Sequence, residues 1–250
     1  MPGILYLVPN MLGTHDGSTN DPLAAVIPTE VKALTARLGY FIAENPKTTR
    51  AYLKLVSQSV PLARTIQEIR ISELNVNTSA DALPALLEPL LAGQDGGLIS
   101  EAGVPAVADP GANLVRLAHT KGITVRPLVG PSSLLLAVMA SGLNGQSFAF
   151  NGYLPTDAAQ RLKRIKTLED RSRSEKQTQL FIETPYRNGA LLEAMASGCN
   201  PATLICIATD LSLASEAIKT QPAAKWKSEL AAGKTPDFHK KPTVFLFLAA

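Results

Sequence analysis

Cysteine is scarce in this chain of 250 residues: there are two, Cys199 and Cys206. Their spacing matches no zinc pattern and neither has a histidine nearby, so neither a disulfide framework nor a cysteine-based metal site is expected. The three histidines, His15, His119 and His239, are scattered. His119 falls in the last turn of an expected helix, where a cation suits the helix dipole. No apolar run nears 18 residues, and the opening MPGILYLVPN has no basic segment ahead of its short apolar run. Neither a membrane span nor a signal peptide is therefore expected. Charge of either sign is nearly balanced: 24 Lys and Arg against 21 Asp and Glu, net +3. That argues against a strongly basic DNA-coating protein and leaves room for a local basic patch. These absences together point to a soluble protein of a reducing, cytoplasmic compartment.

Several nucleotide and nucleophile signatures are missing too. GKT at 233–235 resembles the end of a phosphate loop, but the glycine required five residues earlier is Ser228. No G-x-G-x-x-G follows the first strand, and no G-x-S-x-G is present.

What is present is a large apolar fraction, 46%, arranged in a clear rhythm. Short apolar runs at 4–9, 40–44, 97–100 and 123–128 lack strict alternation, as strands covered on both faces do. Helical patterns at 29–38, 48–57, about 80–92 and 110–121 lie between them, which predicts a parallel sheet. In the third helix Pro84 is tolerable in the first turn, whereas Pro89 is expected to kink or shorten it. After the Gly130-Pro131 break comes an apolar helix ending at Gly142, and then a different rhythm. Strands are expected at 147–155, 178–185, 203–212, 216–221 and 243–249, with helices at 157–168, 186–197 (closed by Gly198) and 223–232. The short links between the later strands predict a partly antiparallel sheet. The expected domains are residues 1–128 and 132–250, joined by a linker at about 129–131.

Between residues 97 and 122 two turns follow one strand, each with a carboxylate: Glu101 in SEAGVP and Asp109 in ADPG. Asp109 reads as an N-cap with Pro110 at the first helical position, or else as a ligand-site residue. Glu101 has no such structural task. It follows a buried strand, where open α/β sheets bind ligands, and Gly103 permits close approach to the backbone; the alternative is an exposed loop acid. In VGPSSLLL, Ser132 and Ser133 open a helix whose free N–H groups suit a polar ligand, or simply cap it. AENPKTTR places Glu44 and Arg50 after the second strand, where Arg50 suits a phosphate, or else the stretch is a solvated loop and an ordinary helix start. In FIETPYRN, Glu183 ends a strand and Arg187 sits in the first turn of a helix, where the dipole disfavours a cation, so another partner is expected. Between Arg161 and Lys176, seven cations are interrupted by three acids. This segment reads either as an RNA contact or as a solvated helix face.

In their relative positions, SEAGVPAVADPG, GPSSLLLAVMASGL, FAFNGYLP, AENPKTTR and FIETPYR resemble the SDAGTP, SDPG, GPSA, FEGFLP, AEDTRHTR and FYESPHR motifs of one family. It is the 16S rRNA ribose 2′-O-methyltransferase family of the tetrapyrrole-methylase (class III) superfamily. The resemblance spans nearly the whole chain. It implies two α/β domains, the first with a mostly parallel sheet and the second with a mixed one, and S-adenosylmethionine in a cleft between them. A homodimer is also implied. By motif position, Glu101, Val104, Ser132, Ser133, Glu183, Ala208 and Thr243 are the expected cofactor contacts, while Glu44, Thr49 and Arg50 face the substrate. Glu44 and Arg50 are the expected catalytic residues; Glu101 is the other candidate for the base, though neutralising the cofactor's ammonium is its favoured role.

The chain departs from the family pattern in places. The usual ATPIGNL-like opening reads LVPNMLGTHD, AEDTRH reads AENPKT, and the run after Thr209 reads DLSLASEA. These changes lie mostly on the substrate side. The expected activity is 2′-O-methylation of a ribose in small-subunit ribosomal RNA. A methylase of the same fold with a small tetrapyrrole-like or other acceptor, and a non-catalytic donor-binding module, are the alternatives.

Overall fold

A computed structural model describes residues 1–13 and 21–250. His15 and the end of the atypical opening loop lie outside the described residues. The chain divides into two compact units, Met1–Ser132 and Ser133–Ala250.

The first unit holds a five-stranded sheet. Its strands are β1 (Ile4–Val8), β2 (Tyr40–Ala43), β3 (Arg70–Glu73), β4 (Gly96–Ile99) and β5 (Thr124–Pro127), in the order β3-β2-β4-β1-β5. Every pairing is parallel. Helices α1 (Thr29–Arg37), α2 (Pro46–Ser59), α3 (Leu83–Leu91) and α4 (Ala112–Thr120) alternate with the strands. Tyr6, Val8, Phe41, Ala43 and Ile99 pack with α1 and α2, while Leu5, Tyr40, Ile42 and Leu98 pack with α3 and α4. Apolar residues thus line both faces of each central strand, which explains the runs without alternation. Each such fully buried large side chain contributes about 1.5–3 kcal/mol. The glycines of β4 fit this crowding. A Cβ on Gly97 would stand 2.8 Å from the Phe41 ring.

Three local features differ from the sequence expectation. β3, reading RISE, is an edge strand with exposed ends, so it carries no apolar run. Helix α3 runs through Pro89 and stops at Leu91, preceded by a 3-10 turn at Ala80–Ala82. Asp109 is not the cap of α4: the N-cap is Gly111, with φ of 134° and no side-chain cap, and the helix begins at Ala112. Ala106 and Ala108 both adopt positive φ. The ADPG turn is therefore wound differently from a simple capped helix start, and Asp109 is left to face elsewhere.

The second unit begins with α5 (Ser133–Ser141) and holds β6 (Phe148–Phe150), α6 (Ala158–Glu175), β7 (Thr178–Ile182) and α7 (Asn188–Gly198). β8 (Leu204–Thr209), β9 (Ala217–Pro222), α8 (Ala223–Ala231) and β10 (Thr243–Leu248) follow. The strand order is β6-β7-β10-β8-β9. β6 and β7 are parallel and the other pairings antiparallel, the mixed sheet expected from the short links. Phe181, Ile205, Ile207, Phe245, Phe247 and Trp226 form the core on the α6–α8 side, and α5 covers the opposite face. The Trp226 indole N–H donates to the Ile205 carbonyl at 3.0 Å, so burial leaves no polar group unpaired there. Gly198 ends α7 for a packing reason. A Cβ there would lie 2.5 Å from Leu162 Cδ1 of α6.

Candidate functional site

In the first unit the chain leaves β1 toward α1 on one face of the sheet and leaves neighbouring β4 toward α4 on the other. That divergence opens a crevice beyond the carboxyl ends of the two strands, where open α/β sheets bind ligands. Four loops meet there. After β1, the Asn10 amide donates to the Gly103 carbonyl at 2.8 Å, and the Gly103 amide to the Met11 carbonyl at 3.3 Å. The buried Asn10 side chain also donates from Nδ2 to the Ser100 and Glu101 carbonyls, at 3.2 and 3.0 Å. After β5, the Leu128 amide donates to the Leu7 carbonyl. Gly130 abuts Pro9 so closely that a Cβ on it would stand 2.2 Å from the Pro9 Cβ. Pro131 completes the enclosure: its carbonyl oxygen would lie 3.4 Å from a Cβ on Gly103, whose φ is +68°. Only glycine fits that bend without strain.

The carboxylates arrive from β2 and β4. Glu44 follows β2, and its Oε2 accepts from the Glu101 amide at 3.3 Å. Asn45 caps α2 by accepting from the Lys47 amide, with Pro46 at the first helical position. Its Nδ2 donates to Glu101 Oε1 at 3.1 Å. One asparagine therefore both starts the helix and holds the acid. Asp109 is the third member. Burial, then the charge of Glu44 and, to a smaller extent, that of Glu101, pushes its carboxyl up to about 6, against a hydrogen bond with Ser100. Val104, half-buried, lies just beyond Gly103. Ser132 ends the first unit and Ser133 opens α5 of the second. Arg50 is exposed, with one long contact from Nη1 to the Pro46 carbonyl (3.5 Å), and does not join the carboxylates.

In the second unit a polar row continues the apolar one. Thr209 lies opposite Thr243, their hydroxyls 3.2 Å apart. Asn188 Nδ2 donates to Thr243 Oγ1 and to the Phe238 and Lys241 carbonyls. Glu183, just past β7, is buried and takes Arg187 as its ion-pair partner at 2.5 Å, the partner expected for a cation in that first turn. Its Oε1 also accepts the Thr184 amide at 2.7 Å. Its Oε2 is buried without a protein partner, as is Asn188 Oδ1. Beside Thr209 opens a cavity of about 630 Å³ between β8, β9 and residues 234–237. Ala208 points to the opposite face, toward α5, and is not brought to Glu183 and Thr243.

The basic segment forms the outer face of α6. Arg171 pairs with Glu175 at 3.1 Å and Arg173 with Asp170 at 3.3 Å. Among the described residues, Lys163, Arg164 and Lys166 have no carboxylate partner. Sequence reasoning missed Asn10 and Asn45. Asn45 had a signal, an asparagine before a proline at a helix start. Asn10 had none, because its partners lie some 90 residues away.

No metal-binding cluster of His, Cys, Asp or Glu occurs among the described residues, and no helix there is long and apolar enough to cross a membrane. No family model matches the chain. Among its sequence relatives are proteins named ribosomal RNA small subunit methyltransferase I. The Mesorhizobium japonicum protein is 35% identical over 167 residues, 67% of this chain and 55% of that one. The Pseudomonas aeruginosa protein is 37% identical over 54% of this chain and 47% of its own length. The Vibrio cholerae protein is 27% identical over 89% and 69%. The chain thus spans about half the length of the first two. Among solved structures, the methyltransferase CobJ matches with a TM-score of 0.62 at 18% identity, covering 99% of this chain and 95% of that one. A uroporphyrin-III C-methyl transferase from Thermus thermophilus, complexed with S-adenyl homocysteine, matches with a TM-score of 0.57 at 16% identity, covering 98% and 97%. The fold is that of the tetrapyrrole and cobalamin methyltransferases, two α/β units with a parallel and a mixed sheet.

Proposed function

We propose that this chain, homologous to the small subunit rRNA methyltransferases I and folded as a tetrapyrrole-type methylase, transfers a methyl group from S-adenosylmethionine to a ribose 2′-hydroxyl of small-subunit ribosomal RNA. The observation that carries the reading is the carboxylate group at the β1/β4 crevice. Glu44, Glu101 and Asp109 surround a glycine bend at a sheet end. That donor set suits a cation bearing sulfonium and ammonium groups, and opposes a phosphate-bearing nucleotide cofactor.

When bound, S-adenosylmethionine supplies a methyl group already activated by its sulfonium. The protein's part is positioning and proton management. Glu101, held by Asn45 and by the hydrogen bond its own backbone N–H donates to Glu44, neutralises the ammonium and orients it. Ser132, Ser133, Val104, Glu183 and Thr243 are proposed as further contacts on their motif positions. The unpartnered Glu183 Oε2 fits a ligand donor. Holding the acceptor in line contributes roughly 7–11 kcal/mol to lowering the barrier. Glu44 Oε2 is proposed to take the hydroxyl proton, a step that typically adds about 10²–10⁴-fold. Arg50, exposed and without a carboxylate partner, is proposed to meet an RNA phosphate.

A cytoplasmic homodimer accompanies this reading. Leu135 and Met139, one turn apart on α5, are 53% and 78% exposed and offer an apolar strip. Methyl transfer from labelled donor into small-subunit rRNA of a deletion strain tests the function. Incorporation at a ribose supports it; intact donor binding with no label in RNA overturns it.

A further inference from the structure

Beyond the β7 end of the second unit, two tyrosines face solvent: Tyr186, 75% exposed, and Tyr153, 58% exposed. β6 and β7 are adjacent and parallel, and the Ile182 amide donates to the Gly152 carbonyl at 3.1 Å. Both rings are thus delivered to the same end of the sheet. Each is held at its base. Tyr153 stands between Gly152, at φ +64°, and the buried Leu154. Tyr186 lies in the short 3-10 turn Pro185–Arg187, anchored by the Glu183–Arg187 ion pair. Rings fixed in this way lose little entropy when something stacks on them.

One lysine stands against these rings. The Lys240 ammonium lies 5.9 Å from the Tyr186 ring centroid, on a residue held at φ +59°. The nearby acids have partners within the unit, two of them sharing one lysine. Glu183 pairs with Arg187, and Asp237 and Asp210 pair with Lys241. Asp157 caps the first turn of α6. Nearly two turns further along that helix, Arg164 is exposed with no acidic partner among the described residues. Exposed aromatic faces beside unneutralised cations are what binds a single strand: bases stack on the rings and phosphates meet the cations.

We infer that Tyr153 and Tyr186, with Lys240, form a stacking platform for single-stranded RNA on the second unit. This rests on the rRNA reading above and specifies which surface holds the substrate.

The test uses the full chain and a short fluorescein-labelled single-stranded RNA, read by anisotropy, with calorimetry of S-adenosylmethionine in parallel. Tyr186→Ala and Tyr153→Ala should each weaken RNA binding about 5- to 150-fold while leaving donor affinity unchanged. Tyr186→Phe should bind as the parent does, because the ring and not the hydroxyl carries the contact. Lys240→Ala should lower the salt dependence by about 0.7 in log–log slope. Parent-like RNA affinity in both alanine variants overturns the platform and leaves the function standing. A parent chain that binds donor but no RNA overturns both. A change in oligomeric state with unaltered RNA affinity overturns the platform by making the patch a self-association surface.

Discussion

The side-chain amide of Asn45 donates to the Glu101 carboxylate at 3.1 Å while its carbonyl oxygen accepts from the Lys47 amide at 2.9 Å. The residue that begins α2 is thus also the one that holds the acid of the neighbouring strand end. The two duties separate by substitution.

Asn45→Asp keeps a good cap but sets a carboxylate against Glu101. Stability should hold to within about 0.5 kcal/mol by urea denaturation, while S-adenosylmethionine affinity drops. Asn45→Ala should lose both, with about 1 kcal/mol of stability removed. Glu101→Ala should weaken donor binding about tenfold or more by calorimetry. Glu44→Ala should abolish turnover with donor affinity kept. Unchanged donor affinity in Glu101→Ala removes that residue from the site.

Asp109 gives the site a pH dependence with a definite sign. Its carboxyl is held at about 6 when folded, against 3.8 as the ordinary value, by burial first and by the charge of Glu44 next. Between these values the folded state binds the proton more tightly than the unfolded one. Its contribution is therefore most favourable below pH 4 and is lost as pH rises through about 6. At neutral pH the charged form costs about 1–2 kcal/mol once solvent screening at a half-buried site is allowed for. Asp109→Asn should be more stable than the parent at pH 7–8, with the advantage vanishing near pH 4. Parallel denaturation curves across that range would show Asp109 to be unperturbed.

The two cysteines should be inert in the native protein. The Cys199 thiol is pushed up to about 12, chiefly by burial and secondarily by Glu169, and burial also raises Cys206. Glu169 is occupied, accepting from the Asn200 amide at 2.7 Å and from the Thr203 hydroxyl. Because burial is the larger cause, Glu169→Gln should leave both thiols unreactive to Ellman's reagent until the second unit unfolds. Reaction of the native parent at the rate of free cysteine would contradict this.

Much of the architecture was legible because central strands of a covered parallel sheet must be apolar on both faces. The runs at Tyr40–Ala43 and Gly96–Ile99 say so directly. β3 was not legible, since an edge strand such as RISE buries little and carries charge. The ADPG turn misled for a different reason. Asp followed by Pro is a good helix start locally, but positive φ at Ala106 and Ala108 winds the chain so that Gly111 takes the cap and Asp109 joins two other acids. Local rules rank caps by residue type and cannot register carboxylates that approach from residues 44 and 101. In the second unit the strand signals for 204–209 and 243–248 were clear. The facing of Ala208 away from Thr243 needed register, which only pairing supplies.

The contact between Gly130 and Pro9 connects the opening loop to the crevice and provides the last test. The backbone at Gly130 has no left-handed φ, so a substitution acts there through space alone. A Cβ would stand 2.2 and 2.4 Å from the Pro9 Cβ and Cγ, and a proline ring has no rotamer by which to yield. Gly130→Ala must therefore push residues 9–11 away from 128–131. Asn10 would then lose its bonds to Ser100, Glu101 and Gly103, which set the bend that carries the acid. The expected result is a loss of about 1–3 kcal/mol of stability together with weakened S-adenosylmethionine binding, measured by denaturation and calorimetry. Pro9→Gly in the same background should recover part of the donor binding, because it removes both the Cβ and the Cγ that clash. If Gly130→Ala binds donor as the parent does, the opening loop does not help shape the crevice.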